Sequence, residues 1–488
     1  MQEGSPTRIS AGTDGLDDVL RGGLIPGRGY LVRGAPGTGK TLLGINYLLA
    51  GVENDETVLY VNLEESAEEI RRNARSVGVD LSGVDFLDLS PNSDAFAEGQ
   101  TYDIFAPDEV EGEPITEEIT ARVEELNPDR VFIDPVTQLR HLTADEYQFR
   151  KQVISLVRYL REQGATVLFT SQDMEDAPDE DLQFLSDGTI ELARDEDGRT
   201  LSVPKFRGSG AREGTHAVSI TDEGIQVYPS LSLDGDGGDF ELETISSGVP
   251  AVDALLGGGL ERGTVTVISG PTGVGKTTAG TQFIKEAAGR GERSVMYMFE
   301  ESKTTFLERS SAVNIPVEAM LDHDALAVEE IEPLNHSAQE FANRVKEEVE
   351  ERNASIVMLD GINGYQLSLP GDNEGLVHQL HTLCRYLKDR GVTVILIEEV
   401  GGVTGDFQAT DVGISYLADN IVFLRHLELD GEMRKAIGVL KKRTSDFERM
   451  LREFRITEHG LRVGEPLEGL KGIMSGQPEV QRRDVDER

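Results

Sequence analysis

Cysteine is nearly missing from this chain: Cys384 is the only one, which excludes an intramolecular disulfide and any cysteine-based metal cluster. In the stretch HTLCRYLK it reads as a small core residue of a helix. Tryptophan is absent and aromatic residues make up 6% of the whole. No stretch approaches the ~18 consecutive apolar residues that a membrane helix needs. The opening segment, MQEGSPTRISAGTDGLDDVL, lacks a basic region followed by an apolar one, so no secretory signal is expected, and the expected compartment is the cytoplasm. Positive charge is also scarce, with 47 Lys and Arg against 89 Asp and Glu and a net charge of −42. The acid is spread along the chain rather than gathered in a tail. Such a field repels phosphate backbones and argues against general nucleic-acid binding. It equally fits a halophilic setting, a very salty cytoplasm in which charge repulsion is screened over short distances.

Repetition is what the chain has in place of these things. At 488 residues it exceeds a single core, and at roughly 100–200 residues per domain it should hold two to four. GAPGTGKT at Gly34–Thr41 recurs as GPTGVGKT at Gly270–Thr277, and VLYVNLEES, ending at Ser66, recurs as VMYMFEES, ending at Ser302. Gly22–Leu24 likewise recurs as Gly258–Leu260, and all these second copies follow the first by 236 residues, as Lys276 follows Lys40. The apolar run ending at Asp134 returns at Asp360 after only 226 residues, so the second copy has a shortened insert. The duplication predicts a first domain over 1–230 and a second over 244–476. An acidic Gly/Asp linker over 231–243 joins them, and a disordered tail over 477–488 ends the chain. Within each copy, buried runs such as RVFID and VTVISG alternate with helical segments such as TLLGINYLLAGV. That alternation predicts a mainly parallel sheet flanked by helices, an α/β fold.

Each copy carries Gly-x-x-x-x-Gly-Lys-Thr between a strand and a helix. Glycines at Gly34, Gly37 and Gly39, and at Gly270, Gly273 and Gly275, let backbone N–H groups of the loop, including those at Thr38 and Val274, wrap a triphosphate at a helix N-terminus. Lys40 and Lys276 would reach the terminal phosphates, and the Thr41 and Thr277 hydroxyls would ligate Mg²⁺. The recurrence makes ATP binding at both loops the expectation. Asp134 and Asp360 each end an apolar strand, where a carboxylate can hold the Mg²⁺ or its water. A lone strand-terminal Asp is more often a turn residue, but here the residue is repeated. Glu64-Glu65 and Glu300-Glu301 close the strand after the loop helix, and a carboxylate there can orient or deprotonate the attacking group. Helix capping competes as an explanation of the first pair, since Ser66-Ala-Glu-Glu69 is a capping box. Recurrence at the same offset from both lysines favours the catalytic reading.

With both glycine loops, both Glu-Glu-Ser segments, GGL, DPVTQLR, DGINGY, KFRGSG, KKRTSD and ITEHGLRV in this order, the chain from Ile9 to about Gly476 resembles the KaiC family of RecA-like P-loop ATPases with tandem CI and CII domains. The resemblance implies hexameric rings with ATP held between subunits. It also implies that Lys205 and Arg207 in the first tier, and Lys441 and Arg443 in the second, reach a neighbour's nucleotide. In clock members the second domain phosphorylates a Ser-Thr pair in its own ring. The matching segment here is Gly413–Asp419, where Ser415 keeps the serine position and Tyr416 replaces the threonine. Ser415 is therefore the candidate phosphoacceptor, competing with a buried small residue before a strand. The resemblance implies an ATPase with possible Ser/Thr autokinase activity and a regulatory role exerted through a protein partner. The alternatives are a DNA-dependent RecA-like recombinase or helicase, and a nucleotide-sensing scaffold. TADEYQ and GDNEG, which follow the aspartate strands, are acidic and disfavour the first. Retention of every acidic site residue disfavours the second.

Overall fold

The computed structural model describes residues 7–76, 78–91, 112–143, 145–172, 180–196, 198–221, 224–232, 243–332, 336–371, 373–401, 414–429, 431–468, 470–471 and 479–480. The chain divides into two compact units, Met1–Ser230 and Leu231–Arg488. Most of the segment 231–243 and most of 477–488 lie outside the described residues. Leu470–Lys471 and Glu479–Val480 pair as a short antiparallel ribbon.

The first unit is built on β1 (Gly29–Gly34), β2 (Val58–Asn62), β3 (Asp85–Asp88), β4 (Arg130–Asp134), β5 (Thr166–Gln172), β6 (Gly188–Asp195), β7 (Gly198–Phe206), β8 (Thr215–Thr221) and β9 (Gly224–Tyr228). Among the described residues they form one sheet in the order β3-β2-β4-β5-β1-β6-β7-β8-β9. Pairing is parallel from β3 through β6 and antiparallel from β6 through β9. The interior parallel strands β1, β2, β4 and β5 are buried on both faces, so they read as continuous apolar runs. In β1, Tyr30 and Val32 pack into one core layer and Leu31 into the other. In β4, Phe132 goes to the first layer and Val131 and Ile133 to the second. The helix Lys40–Glu53 covers the first face with Leu43, Tyr47 and Leu48. Helices Gly112–Leu126 and Glu146–Glu162 cover the second with Ile119, Val123, Phe149 and Val153. Each such fully buried side chain contributes about 1.5–3 kcal/mol of transfer free energy, offset by the entropy of ordering it.

The second unit repeats the plan. A small ribbon of β10 (Thr244–Ile245) and β11 (Leu260–Glu261) precedes β12 (Val265–Gly270), β13 (Arg293–Met298), β14 (Leu326–Glu330), β15 (Ala354–Asp360), β16 (Thr393–Glu399), β17 (Asn420–Leu429), β18 (Glu432–Lys442), β19 (Arg452–Thr457) and β20 (Gly460–Pro466). The order β14-β13-β15-β16-β12-β17-β18-β19-β20 matches the first sheet strand for strand. Cys384 is buried in the helix Asn373–Asp389, where burial pushes its thiol up to about 12. Among the described residues no helix is long and apolar enough to cross a membrane.

In both units the glycine loop leaves the C-terminal end of the strand that joins the rest of the parallel sheet to the antiparallel meander. Ligands of open α/β sheets bind outside the carboxyl ends of the strands, where strand order switches. The meander then packs against the loop. A Cβ on Gly39 would come within 2.9 Å of Ile220 Cδ1, and one on Gly275 within 2.4 Å of Ile456 Cδ1.

Candidate active site

The loop geometry is the same in both units. Gly39 and Gly275, at φ 109° and 110°, cap helices Lys40–Glu53 and Lys276–Gly289 in the left-handed region, which glycine enters without steric cost. Gly34 and Gly270 lie so close to the adjacent strand that a Cβ would strike Leu192 O at 2.2 Å and Leu424 O at 2.5 Å. Beside Gly37 and Gly273 a Cβ would meet nothing within 4 Å, so the middle of each loop borders open space. The Val274 side chain is buried in the core, and only its backbone is available to a ligand. Thr38 is also buried and donates to Ala35 O at 2.9 Å, bracing the first loop from inside.

Lys40 Nζ donates to Gly34 O at 2.7 Å and Ala35 O at 2.9 Å. Lys276 Nζ donates to Pro271 O at 2.9 Å and lies 3.6 Å from Glu399 Oε2. Burial pulls the Lys276 ammonium below the ordinary lysine range, and Glu399, Asp360 and Glu300 act against that pull. The hydroxyl next to each lysine meets the strand-end aspartate: Thr41 Oγ1 donates to Asp134 Oδ2 at 2.7 Å, and Thr277 Oγ1 to Asp360 Oδ1 at 3.0 Å. Asp134 accepts further hydrogen bonds from the Tyr60 hydroxyl at 3.1 Å and from Thr170 Oγ1. Burial pushes the Asp360 carboxyl up to about 6, with the Thr277 hydrogen bond and Arg309 opposing.

The acid pairs stand beside these aspartates, because Leu63 N donates to Asp134 O and Phe299 N to Asp360 O. Within each pair the two carboxylates have different company. Glu64 Oε2 accepts from Gln172 Nε2 at 2.9 Å, across the site on β5. Glu65 accepts from Asn73 at 3.5 Å, on the helix Ala67–Ser76. Burial, then Asp134 and Glu64, hold the Glu65 carboxyl above its ordinary value. Glu300 Oε1 accepts from Gly364 N at 3.0 Å, whereas Glu301 pairs with Arg309 at 2.7 Å, again on the following helix. Ser66 and Glu69 do form the capping box, with Ser66 Oγ 2.9 Å from Glu69 Oε2. The capping and site roles therefore fall on different residues of one segment.

The basic pairs stand elsewhere. Lys205 lies on β7 one residue before Phe206, which pairs with Gly188, itself level with Tyr30 at the start of β1. The loop leaves β1 at the other end, at Gly34. Lys442 and Asn420 set Lys441 at the same level in the second sheet, beside Thr266 near the start of β12. Lys205 Nζ donates to the carbonyls of Gln183 and Ser186, while Arg207 is exposed. Lys441 Nζ donates to Ser415 O at 2.9 Å and Ala418 O at 2.7 Å, and Arg443 to Tyr416 O at 3.3 Å. Ser415 is exposed on the short 3₁₀ turn Ile414–Tyr416, which disposes of the buried alternative. Gly413 lies outside the described residues.

A magnesium–nucleoside triphosphate fits what is present. Each loop offers backbone N–H groups at a helix start, one buried lysine, one hydroxyl and one carboxylate. Among the described residues no three His, Cys, Asp or Glu side chains gather into an all-protein metal cage, and Mg²⁺ bound with phosphates does not require one. Tyr60, Thr170, Gln172, Arg309 and Glu399 are site residues that sequence patterns did not single out. Pairing register alone reveals Gln172 and Glu399, since each is level with the first glycine of its loop.

The comparisons with known proteins agree with this geometry. The family described as "ATPase: KaiC" matches residues 9–232 and again 245–468. The circadian clock oscillator protein KaiC of Synechococcus elongatus is 29% identical over 490 residues, covering 97% of this chain and 92% of that protein. Its namesake from Picosynechococcus is 30% identical over 492 residues, covering 97% and 92%, and that from Acaryochloris marina 27% over 499, covering 99% and 93%. Two family matches, one for each nine-stranded unit with its own glycine loop, mean that the chain belongs to the KaiC family of tandem-domain ATPases.

Proposed function

We propose that the chain is a regulatory ATPase that binds MgATP at both glycine loops, hydrolyses it slowly, and in its second domain also phosphorylates Ser415 of a neighbouring chain. The observation that carries this reading is the duplicated Thr–Asp pair beneath a duplicated loop, with a glutamate pair held beside each aspartate. Bound MgATP supplies an electrophilic γ-phosphoryl group and the neutralising charge of the metal. Lys40 and Lys276 hold the phosphates, and Thr41, Asp134, Thr277 and Asp360 position the metal or its water. In the first domain Glu64 orients water and takes up its proton. In the second, Glu300 does the same for water or for the Ser415 hydroxyl, whose oxygen gains the phosphoryl group as ADP departs.

A ring, hexameric as in the resemblance drawn from the sequence, gives the remaining residues a task. Ser415, Arg207 and Arg443 lie toward the opposite end of the central strand from the loop of their own unit. Asp419 N donates to Val265 O at 2.8 Å, which holds the Ser415 segment near the start of β12. A loop does not meet these groups of its own unit, so in this reading it meets those of a neighbouring chain, and a head-to-tail interface repeated six times closes such a ring. The acidic composition directs the assay to high salt.

Intact mass after incubation with Mg²⁺ and ATP tests the kinase part. The expected result is a gain of one phosphoryl group that is lost in Ser415→Ala. A gain that persists in Ser415→Ala moves the acceptor elsewhere, and phosphate release without any gain leaves an ATPase alone.

A further inference from the structure

The residue that meets the second glutamate of each acid pair changes between the two sites. Arg309 follows Asn73 by 236 residues, as Lys276 follows Lys40. Each lies on the helix after its acid pair, Ala67–Ser76 or Lys303–Ala312. Asn73 is neutral and reaches Glu65 at 3.5 Å, whereas the Arg309 guanidinium stands 2.7 Å from Glu301. A second change has the opposite sign. Gln172, level with the first glycine of the first loop, is neutral, and Glu399, at the same level in the second unit, is a carboxylate. At these two positions the second site gains one negative and one positive side chain, and the changes offset.

We propose that Arg309 is a positioning residue of the second site, which neutralises Glu301 and holds it against the following helix so that a triphosphate can settle beside a loop crowded with carboxylates. This rests on the two-site reading above. Phe299 N donates to Asp360 O, which sets Glu300 and Glu301 next to that aspartate, and Glu399 Oε2 lies 3.6 Å from Lys276 Nζ. The charge of Arg309 is felt at the same place, since it opposes the rise of the Asp360 carboxyl that Glu301 and Glu300 promote. With Asn73 in the arginine's position, the first site shows its crowding at Glu65. Burial, Asp134, Glu64 and Glu69 all hold that carboxyl above its ordinary value.

Local structure keeps Arg309 where it can do this. It lies in the last turn of its helix, where the dipole favours a cation. Its guanidinium is 6.0 Å from the centre of the buried Phe306 ring. The Arg309 side chain is 40% exposed and that of Glu301 23%, so water screens the pair in part and the effect on a ligand is graded. A role confined to the helix end would alter stability and leave the affinity of the loop unchanged.

Equilibrium dialysis of the full chain with labelled ATP and Mg²⁺ tests the inference, in a Lys40→Ala background so that the second loop alone is read. Arg309→Asn should weaken binding by about tenfold. Arg309→Lys, which keeps the charge, should weaken it by less than about threefold. Adding Glu301→Gln to Arg309→Asn removes both charges, and should return the affinity to within about threefold of the parent. An affinity unmoved by Arg309→Asn overturns the inference. So does a double variant as weak as Arg309→Asn alone, which would mean that Arg309 contacts the nucleotide itself. Both outcomes leave the two-site reading standing. A Lys40→Ala parent that binds no ATP overturns the two together.

Discussion

Glu64→Gln lowers ATP turnover in the first domain by ~10²–10⁴-fold, and Glu300→Gln does the same in the second, as expected for loss of a positioned general base. Glu65→Gln and Glu301→Gln lower it by less than about tenfold. The asymmetry within each pair follows from where the carboxylates are held. Glu64 reaches across the site to Gln172, and Glu300 lies against Gly364, just beyond the strand that ends in Asp360. Glu65 and Glu301 are engaged by Asn73 and Arg309 on the helices that lead away. Glu65 feels the charge of Asp134, and Glu300 and Glu301 that of Asp360, so a fall in turnover of about a few-fold is expected at these three from electrostatics alone. Phosphate release measured with Lys276→Ala, to follow the first domain, and with Lys40→Ala, to follow the second, separates the contributions. Equal losses for both members of a pair would mean that either glutamate can serve.

Mixing two inactive chains restores activity. With the second domain silenced throughout by Lys276→Ala, homogeneous rings of Lys40→Ala have no working loop. In the proposed ring, Arg207→Ala removes the cation for the neighbour's phosphate and should lower first-domain turnover on the order of 10³-fold. In rings assembled from equal amounts of both, about a quarter of the interfaces combine an intact loop with an intact arginine, and about a quarter of the activity returns. Arg207 rather than Lys205 carries this test, because Lys205 Nζ is committed to carbonyls at the end of the helix Glu180–Leu185. Removing Lys205 would disturb that helix end as well as any neighbour. Full turnover in Arg207→Ala, or mixtures that stay inactive, would contradict a site completed by a second chain.

How far all this could be read in advance depended on which physical signal each residue leaves. The loops were legible because phosphate wrapping demands glycines at fixed spacing beside a lysine and a hydroxyl. Asp134 and Asp360 were legible because each closes a run buried on both faces. The meander strands were harder. β7 and β19 each present one half-exposed face, and sequences such as SVPKF and REFRIT lack the continuous apolar run of a buried parallel strand. The packing of Ile220 on β8 and Ile456 on β19 against the loop glycines has no local signature. Gln172 and Glu399 escaped notice because their importance lies in register with a strand far away in sequence, not in any motif. Within the Glu-Glu pairs the residue types alone left both members open, and only the hydrogen-bond partners on either side distinguish them.

The central claim is that each half of the chain carries its own working ATP site, and counting sites tests it most directly. Equilibrium binding with Mg²⁺ should give two ATP per wild-type chain. It should give one in Lys40→Ala, one in Lys276→Ala and none in the double variant. Two sites persisting in either single variant, or a single site in wild type that one of the substitutions leaves untouched, would contradict the account.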